Sequence, residues 1–243
     1  MPAAGRAAIL NKIADLFEEN TAALMSLCIH EAGKTLQDAL AEVREAVDFC
    51  RYYARHARRL MTPETLNGPT GESNVLALHP RGVFACISPW NFPLAIFAGQ
   101  VVAALASGNC AIAKPAEQTP KIAAYMVELL HRAGVPKEAL QLAVGKGSVI
   151  GAAMTSDARI AGIVFTGSVE VAQQINRTLA ARTGAIVPFI AETGGQNCMV
   201  VDSSALIEQA VDDIMLSAFG SAGQRCSALR VLFVQDDIAD NLM

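Results

Sequence analysis

The sequence predicts an α/β protein whose parallel sheet is covered by helices on both faces. Short apolar runs of strand length alternate with segments of helical length between residues 83 and 191. The runs Val83–Ile87 and Ile160–Phe165 are apolar throughout, as is typical of strands that are buried on both faces. With 52% apolar and 17% charged residues, the chain can also bury a substantial core.

Two long amphipathic helices are predicted at the start of the chain. Apolar residues recur at helical spacing from Ile9 to Phe17 and again from Leu36 to Cys50. We expect Gly33 to end the first helix and Pro63 to end the second. The polar, Gly- and Pro-containing stretch that follows, together with apolar Val75–Leu78, predicts a protruding hairpin within residues 62–80.

The alternating region then supplies the sheet. Strands are predicted at Val83–Ile87, Cys110–Ala113, Leu140–Val144, Ile160–Phe165 and Ile186–Ala191. Helices are predicted at Pro93–Ala106, Pro120–Ala133, near Ser148–Met154 and at Val169–Ala181. Residues 82–113 contain no charged residue, but the prolines and polar residues within them argue against a membrane span. Ligands of such a sheet are expected at the carboxyl ends of its strands.

A second α/β unit follows the sheet. A strand at Cys198–Val201, a helix from about Ala205 and a strand at Leu229–Val234 are predicted there. We therefore predict one domain over residues 1–194 and the beginning of another over residues 195–243.

Composition excludes several classes of function. The net charge of -4 argues against nucleic acid as a partner, and a solvated helix face explains the four arginines between residues 51 and 59. The six cysteines form no CxxC pair and no metal-like spacing with histidine, so no metal site is predicted. Reduced cysteines and a start without a secretory signal predict a cytoplasmic protein.

Two residues are candidates for covalent catalysis. Cys226 lies in a turn of small residues next to Arg225, where backbone amides can approach and stabilise a thiolate. Glu192 follows an apolar strand and precedes two glycines, so its carboxylate could activate water. The alternatives are an inert cysteine and an ordinary glutamate at the start of a loop.

Three further strand ends have residues suited to binding. The prolines around Asn91 stiffen the turn 88–93, so its amide could serve an oxyanion or simply cap a helix. Lys114 and Glu117 could grip the two hydroxyls of a ribose or form a surface ion pair. The end of the strand at Phe165-Thr166-Gly167-Ser168 favours phosphate, and Gly147 and Gly151 belong to a glycine-rich turn that does not match the usual dinucleotide fingerprint.

Taken in order, these segments resemble the aldehyde dehydrogenase superfamily. The motifs are PWNFP (89–93), KPAEQTP (114–120), FTGS (165–168), ETGGQN (192–197) and GQRCS (223–227). The resemblance covers essentially the whole chain, and the spacing between Glu192 and Cys226 fits the family. It implies an aldehyde dehydrogenase-like fold, with an NAD-binding domain followed by the first part of a catalytic domain.

The resemblance also implies the role of each residue. Cys226 is the nucleophile, Glu192 is the base, and Asn91 holds the oxyanion together with the Cys226 amide. Lys114 and Glu117 hold the adenine ribose of NAD, and Gly167 and Ser168 approach the pyrophosphate. The other implied cofactor contacts are Ile87, Ser88, Pro89, Trp90, Gly147, Gly151, Phe165, Thr166 and Val171. Glu117 favours NAD over NADP because it repels a 2′-phosphate.

One subgroup of the family is more similar still. Residues 42–49, 191–197, 201–206, 217–231 and 235–240 resemble the L-glutamate γ-semialdehyde dehydrogenase modules of bifunctional proline-catabolic proteins. The implied reaction is oxidation of that semialdehyde, which is in equilibrium with pyrroline-5-carboxylate, to L-glutamate with NAD. Phe92 and Ser227 are then candidates to contact the substrate. The alternatives are a dehydrogenase for another aldehyde, such as a different semialdehyde, and an inactive NAD-binding remnant.

Compared with the family pattern, the sequence is expected to be a fragment. The later Glu-x-Phe cofactor motif and the loop that anchors the amino-acid end of the substrate are absent. We therefore expect little or no dehydrogenase activity from the 243 residues alone. The resemblance implies a homo-oligomeric parent, with fusion to a proline dehydrogenase domain as one form of it.

Overall fold

The computed structural model describes residues 1–243, which divide into two compact units, 1–192 and 193–243. The first unit begins with three helices, α1 (Ala3–Glu19), α2 (Thr21–Ala32) and α3 (Leu36–Leu60). The prediction of one helix before Gly33 is wrong, because the helix breaks at Asn20. There, the Asn20 Nδ2 donates to the Leu16 carbonyl oxygen at 2.7 Å, and the Thr21 hydroxyl donates to the Glu18 carbonyl oxygen at 2.7 Å. Such side chains compete with the helical backbone for its acceptors.

The later boundaries in this helical layer follow local chemistry. Gly33 ends α2 in the left-handed conformation, with φ of 65°, as predicted. The Thr35 hydroxyl oxygen accepts a hydrogen bond from the Asp38 amide at 3.1 Å and so caps α3. The predicted hairpin is confirmed as antiparallel strands β1 (Glu64–Leu66) and β2 (Asn74–Leu76).

Five parallel strands form the sheet of the first unit. They are β3 (Val83–Ile87), β4 (Cys110–Lys114), β5 (Leu140–Leu142), β6 (Ile160–Thr166) and β7 (Phe189–Glu192), in the order β5-β4-β3-β6-β7. The helices between them are α4 (Ala95–Ala106), α5 (Pro120–Ala133), α6 (Ala152–Ser156) and α7 (Val169–Ala180), and a π-helical turn at Gly147–Gly151 precedes α6. Strands β5 and β7 are shorter than predicted, ending at Leu142 and beginning at Phe189.

The sheet has an apolar cluster on each face, which confirms the predicted class. Along β3, Phe84 and Cys86 belong to the larger cluster, which also includes residues of α1–α5. Ala85 and Ile87 belong to the smaller one, together with residues of α6 and α7. This alternation is what a strand covered on both faces requires. No helix is both long and apolar enough to cross a membrane.

The second unit is a small α/β arrangement. Strands β8 (Asn197–Val201) and β9 (Leu229–Val234) pair in parallel. Helix α8 (Ile207–Phe219) and a 3-10 turn at Gly220–Gly223 connect them, and α8 has no buried residue. A final helix, α9 (Asp236–Leu242), was not predicted. Asp236 and Asp237 in its first turn are the signal that could have indicated it.

Candidate active site

The sheet register brings predicted site residues of the first unit to one edge. Ile87, the last residue of β3, pairs with Lys114 on one side and with Phe165 on the other. Thr166, the last residue of β6, pairs with Glu192 at the end of β7. The carboxyl ends of β4, β3, β6 and β7 therefore place a cation, a hydroxyl and a carboxylate along one row.

The loop 88–93 leaves this edge after β3. Its first amide, that of Ser88, donates to the Lys114 carbonyl oxygen at 3.1 Å and so extends the ladder. The Ser88 hydroxyl is buried and has no hydrogen-bond partner, whereas Pro89, Asn91 and Phe92 are half-buried. Trp90 is 40% exposed. A buried hydroxyl without a partner at a strand end can form a hydrogen bond with a polar group of a ligand.

Lys114 is a buried cation in this row. The residue is 3% exposed, and its Nζ donates to the Pro115 carbonyl oxygen at 2.8 Å. Burial lowers the pKa of Lys114, and the nearby carboxylate of Glu117 opposes that shift. Because an ammonium has three donors, this one has capacity for two further hydroxyl or carbonyl acceptors.

The β6–α7 junction differs from a simple phosphate cradle. The Gly167 amide is already bonded to the Glu192 carbonyl oxygen at 3.1 Å. The Ser168 hydroxyl oxygen accepts from the Val171 amide at 3.3 Å and caps α7. The backbone amide of Glu170 and the Ser168 hydroxyl lower the pKa of the exposed Glu170 carboxyl. A pyrophosphate at the start of this helix would therefore lie near an existing carboxylate. Of the predicted cofactor contacts, the one with the pyrophosphate has the least support from the structure.

The glycines of the π-helical turn leave space. A side-chain carbon added at Gly147 or Gly151 would meet no other atom within 4 Å. Neither residue has a positive φ, so nothing within the chain itself requires glycine at these two positions. The exposed Val171 and these glycines stay predicted cofactor contacts.

Sequence reasoning missed one buried side chain of this edge. The Gln100 Nε2 in α4 donates to the Ile87 carbonyl oxygen at 3.2 Å and to the Thr166 hydroxyl at 3.0 Å. It therefore links the carboxyl ends of β3 and β6. A lone amide within the apolar helix Ala95–Ala106 was the available signal.

Cys226 lies in the second unit, after an unusual turn. Ser221 and Ala222 have φ of 54° and 55°, and Gly223 follows with φ of 67°, so three consecutive residues are left-handed. This conformation is unfavourable for residues with a side chain and is enriched at functional sites. The Asn197 Nδ2 ties the segment to β8 by donating to the carbonyl oxygens of Cys226 at 2.7 Å and of Ala228 at 3.0 Å. Cys226 and Ser227 are exposed.

The other cysteines divide by burial. All six are free, and burial raises the pKa of Cys28, Cys50 and Cys86 to about 12 in each case. These three thiols stay protonated at neutral pH and are poor nucleophiles. Cys198 is exposed, as Cys226 is. No group of three or more His, Cys, Asp or Glu residues is arranged to hold a metal ion.

The predicted residues thus fall into two sets. The first unit contains Asn91, Phe92, Lys114, Glu117, Glu192 and the other predicted cofactor contacts. The second unit contains Cys226 and Ser227.

Comparisons with known proteins agree with these motifs. The model of the "Aldehyde dehydrogenase family" matches residues 1–243. The bifunctional protein PutA of Klebsiella aerogenes is 54% identical over 245 residues, which cover 100% of this chain and 18% of that protein. The 1-pyrroline-5-carboxylate dehydrogenase 2 of Bacillus subtilis is 39% identical over 241 residues, covering 98% of this chain and 47% of that enzyme.

A solved structure is similar over the same residues. The crystal structure of a Bradyrhizobium japonicum proline utilization A (PutA) mutant superposes with a TM-score of 0.97 at 60% identity. The match covers 100% of this chain and 25% of that one. The chain thus spans about a fifth to a half of the length of the proteins that it matches.

Proposed function

Because the chain belongs to the aldehyde dehydrogenase family, we propose that it forms the cofactor-binding unit and the nucleophile-bearing segment of an NAD-dependent L-glutamate γ-semialdehyde dehydrogenase. The relatives support this substrate. One kind is named proline utilization A (PutA), and another is named 1-pyrroline-5-carboxylate dehydrogenase. Pyrroline-5-carboxylate is the cyclic form of this semialdehyde, so the second name refers to the proposed oxidation and the first to the use of proline.

In the proposed reaction, the Cys226 thiolate adds to the aldehyde carbon and converts its carbonyl oxygen to an oxyanion. Asn91 and the Cys226 amide donate hydrogen bonds to that oxyanion. Loss of a hydride from the same carbon leaves a thioester on Cys226. Glu192 takes a proton from water, which attacks the thioester and releases L-glutamate and the thiolate. Phe92 and Ser227 are proposed to contact the substrate.

NAD supplies the hydride acceptor when it is bound. Enzymes of this family use NAD or NADP, and the residues of the first unit fit such a group. The Lys114 ammonium can donate two further hydrogen bonds, and the Ser88 hydroxyl has no partner. Both groups can therefore bond polar groups of a cofactor. Lys114 and exposed Glu117 would hold the adenine ribose. The carboxylate of Glu117 disfavours a 2′-phosphate, which favours NAD.

The setting of the enzyme is also part of the proposal. Six free cysteines suit a reducing cytoplasm. The hairpin of β1 and β2 exposes Leu66, Val75 and Leu76, which suits contact with another copy in a homo-oligomer. PutA relatives are bifunctional proteins, so we propose that the segment works within a longer chain that can include a proline dehydrogenase domain.

The single observation that best supports a cofactor site is buried Lys114 at a strand end, and calorimetry with NAD tests it. We expect binding by the chain and a loss of affinity of about tenfold or more in Lys114→Ala. The reason is that a hydrogen bond from a charged group contributes roughly 1.5–3 kcal/mol. Lys137→Ala removes the same charge before β5, at the opposite end of the sheet, and is the matched control.

NADP gives the second arm of the experiment. We expect weaker binding of NADP than of NAD, and Glu117→Gln should narrow that difference. Equal NAD affinity in the Lys114 and Lys137 variants would place the cofactor elsewhere. Absence of NAD binding by a chain that is folded by circular dichroism would contradict the proposed function of the first unit.

A further inference from the structure

A carboxylate of the helical layer reaches the start of α4. Glu42 in α3 is 1% exposed, and its Oε2 accepts hydrogen bonds from the amides of Leu94 at 3.2 Å and Ala95 at 2.8 Å. These amides immediately follow the loop 88–93, which contains Asn91. Glu42 therefore fixes the far end of that loop, whereas the Ser88 amide fixes the near end on β4.

Lys34 completes the contact from the other side. Its Nζ lies 3.3 Å from the Glu42 Oε1, and the Lys34 side chain is 3% exposed. The same ammonium lies 4.3 Å from the centroid of the Phe92 ring, within the range of a cation–π interaction. One buried cation thus contacts both the carboxylate and the residue next to Asn91.

We propose that Glu42 and Lys34 are positioning residues that hold the loop 88–93 in the one orientation that the Asn91 amide needs. This assignment rests on the proposed oxyanion role of Asn91. Neither residue is placed in contact with substrate or cofactor. Both act through the loop.

Stability alone does not explain a buried ion pair at this place. Desolvation of two charges offsets much of their attraction, and apolar residues of similar volume would often be at least as stabilising. Burial raises the pKa of the Glu42 carboxyl to about 7, while the two amides and Lys34 oppose the shift. The ionised carboxylate therefore depends on these donors, and two of them, the amides of Leu94 and Ala95, directly follow the loop.

A second carboxylate repeats the arrangement on the neighbouring helix. Glu31 in α2 accepts hydrogen bonds from the amides of Lys121 at 3.0 Å and Ile122 at 2.8 Å, at the start of α5. Helix α5 follows the loop after β4, which begins directly after Lys114 and contains Glu117. The helical layer thus anchors the loops that leave β3 and β4.

Trp90 makes the loop directly measurable, because it is the single tryptophan of the chain. We would record its emission maximum and its quenching by acrylamide in Lys34→Met, Glu42→Ala and Glu42→Gln. The loop should loosen in Lys34→Met and Glu42→Ala, with quenching rising up to about twofold because Trp90 is already 40% exposed. Glu42→Gln keeps an acceptor oxygen for both amides and should recover much of the native signal.

The side-chain amide of Asn91 provides a second readout. In protein labelled with 15N-asparagine, the signals of the Asn91 side-chain amide can be assigned by their loss in Asn91→Ser. These signals should shift in Lys34→Met and Glu42→Ala. Arg51→Met is the matched control, because it breaks an ion pair of the same helix with Asp15 and Glu18 on the surface. All spectra are compared at temperatures where circular dichroism shows native helix content.

Native Trp90 and Asn91 signals in folded Lys34→Met and Glu42→Ala, or equal shifts in Arg51→Met, would overturn the proposal. Neither readout requires NAD. A chain that fails to bind NAD but shows the expected loop shifts would contradict the proposed function and leave the positioning role in place. Should Glu42→Ala not fold, the comparison of Lys34→Met with the control Arg51→Met decides the matter.

Discussion

Cysteine 226 is one of two exposed thiols, so exposure does not identify it as the nucleophile. Cys198 in β8 is also exposed, but it follows no left-handed turn and has no adjacent arginine. If its surroundings activate Cys226, iodoacetamide should alkylate it at least about tenfold faster than Cys198 at neutral pH. Peptide mass spectrometry after timed quenching measures both rates in one sample.

Single substitutions assign the two rates. Cys198→Ser should leave the fast rate intact, and Cys226→Ser should remove it. Buried Cys28, Cys50 and Cys86, whose thiols have pKa values raised to about 12, should not react on this timescale. Equal rates at Cys198 and Cys226 would favour the remnant whose cysteine is inert.

At the scale of single residues, the sequence could indicate the residues that are proposed to contact substrate or cofactor, but not those that are proposed to act through other residues. Lys114 and Glu192 end apolar strands, so their place at the sheet edge follows from the strand pattern. Asn91 lies in the loop that follows another such strand, β3. In the sequence, Glu42 resembles any polar residue of an amphipathic helix. Its partners Leu94 and Ala95 are 52 and 53 residues away, and no local pattern predicts such a contact.

At the scale of elements, the spacing of apolar residues predicted the strands of the sheet and the helices between them. Side-chain hydrogen bonds explain why the prediction of a single helix before Gly33 failed. Strand β3 and helix α5 have the predicted bounds. The break at Asn20 was missed because the apolar pattern continues through it. What ends α1 there is the pair of side-chain bonds to carbonyl oxygens, which periodicity does not detect.

Gln100 provides a prediction about how two elements are joined. Gln100→Leu leaves the Ile87 carbonyl oxygen and the Thr166 hydroxyl without this donor, so we expect a loss of about 1–2 kcal/mol in the free energy of unfolding. NAD affinity should also fall, because the strand ends of the proposed site are no longer linked. Urea denaturation and calorimetry measure the two effects.

A double-mutant cycle with Thr166→Val isolates the link. Because the two side chains share one hydrogen bond, the double variant should lose less stability than the sum of the single ones. Additive losses would show that Gln100 and Thr166 contribute independently and would contradict the bridging role.

At the scale of the whole molecule, the two units differ in how much of their structure is buried. In the first, α4 has ten buried residues of its twelve. In the second, α8 has none, and its sheet has two strands. Hydrogen exchange followed by mass spectrometry should therefore show strong protection of α4 and β3, with α8 exchanging orders of magnitude faster.

Peptides from α1 and α3 serve as internal references, since both helices bury apolar residues in the larger cluster. Protection of α8 equal to that of α4 would contradict the expected difference. It would mean that the second unit has a source of stability beyond its own packing.

The strand order of the sheet also sets a sequence of events during translation. The central strand β3 can pair with β4 soon after both leave the ribosome, whereas its other neighbour, β6, and the edge strand β7 are made much later. The nascent chain can therefore present Lys114 on a paired strand while Glu192 has yet to be synthesised. Until β6 arrives, the open side of β3 is an unpaired strand edge, which is a template for pairing with another chain.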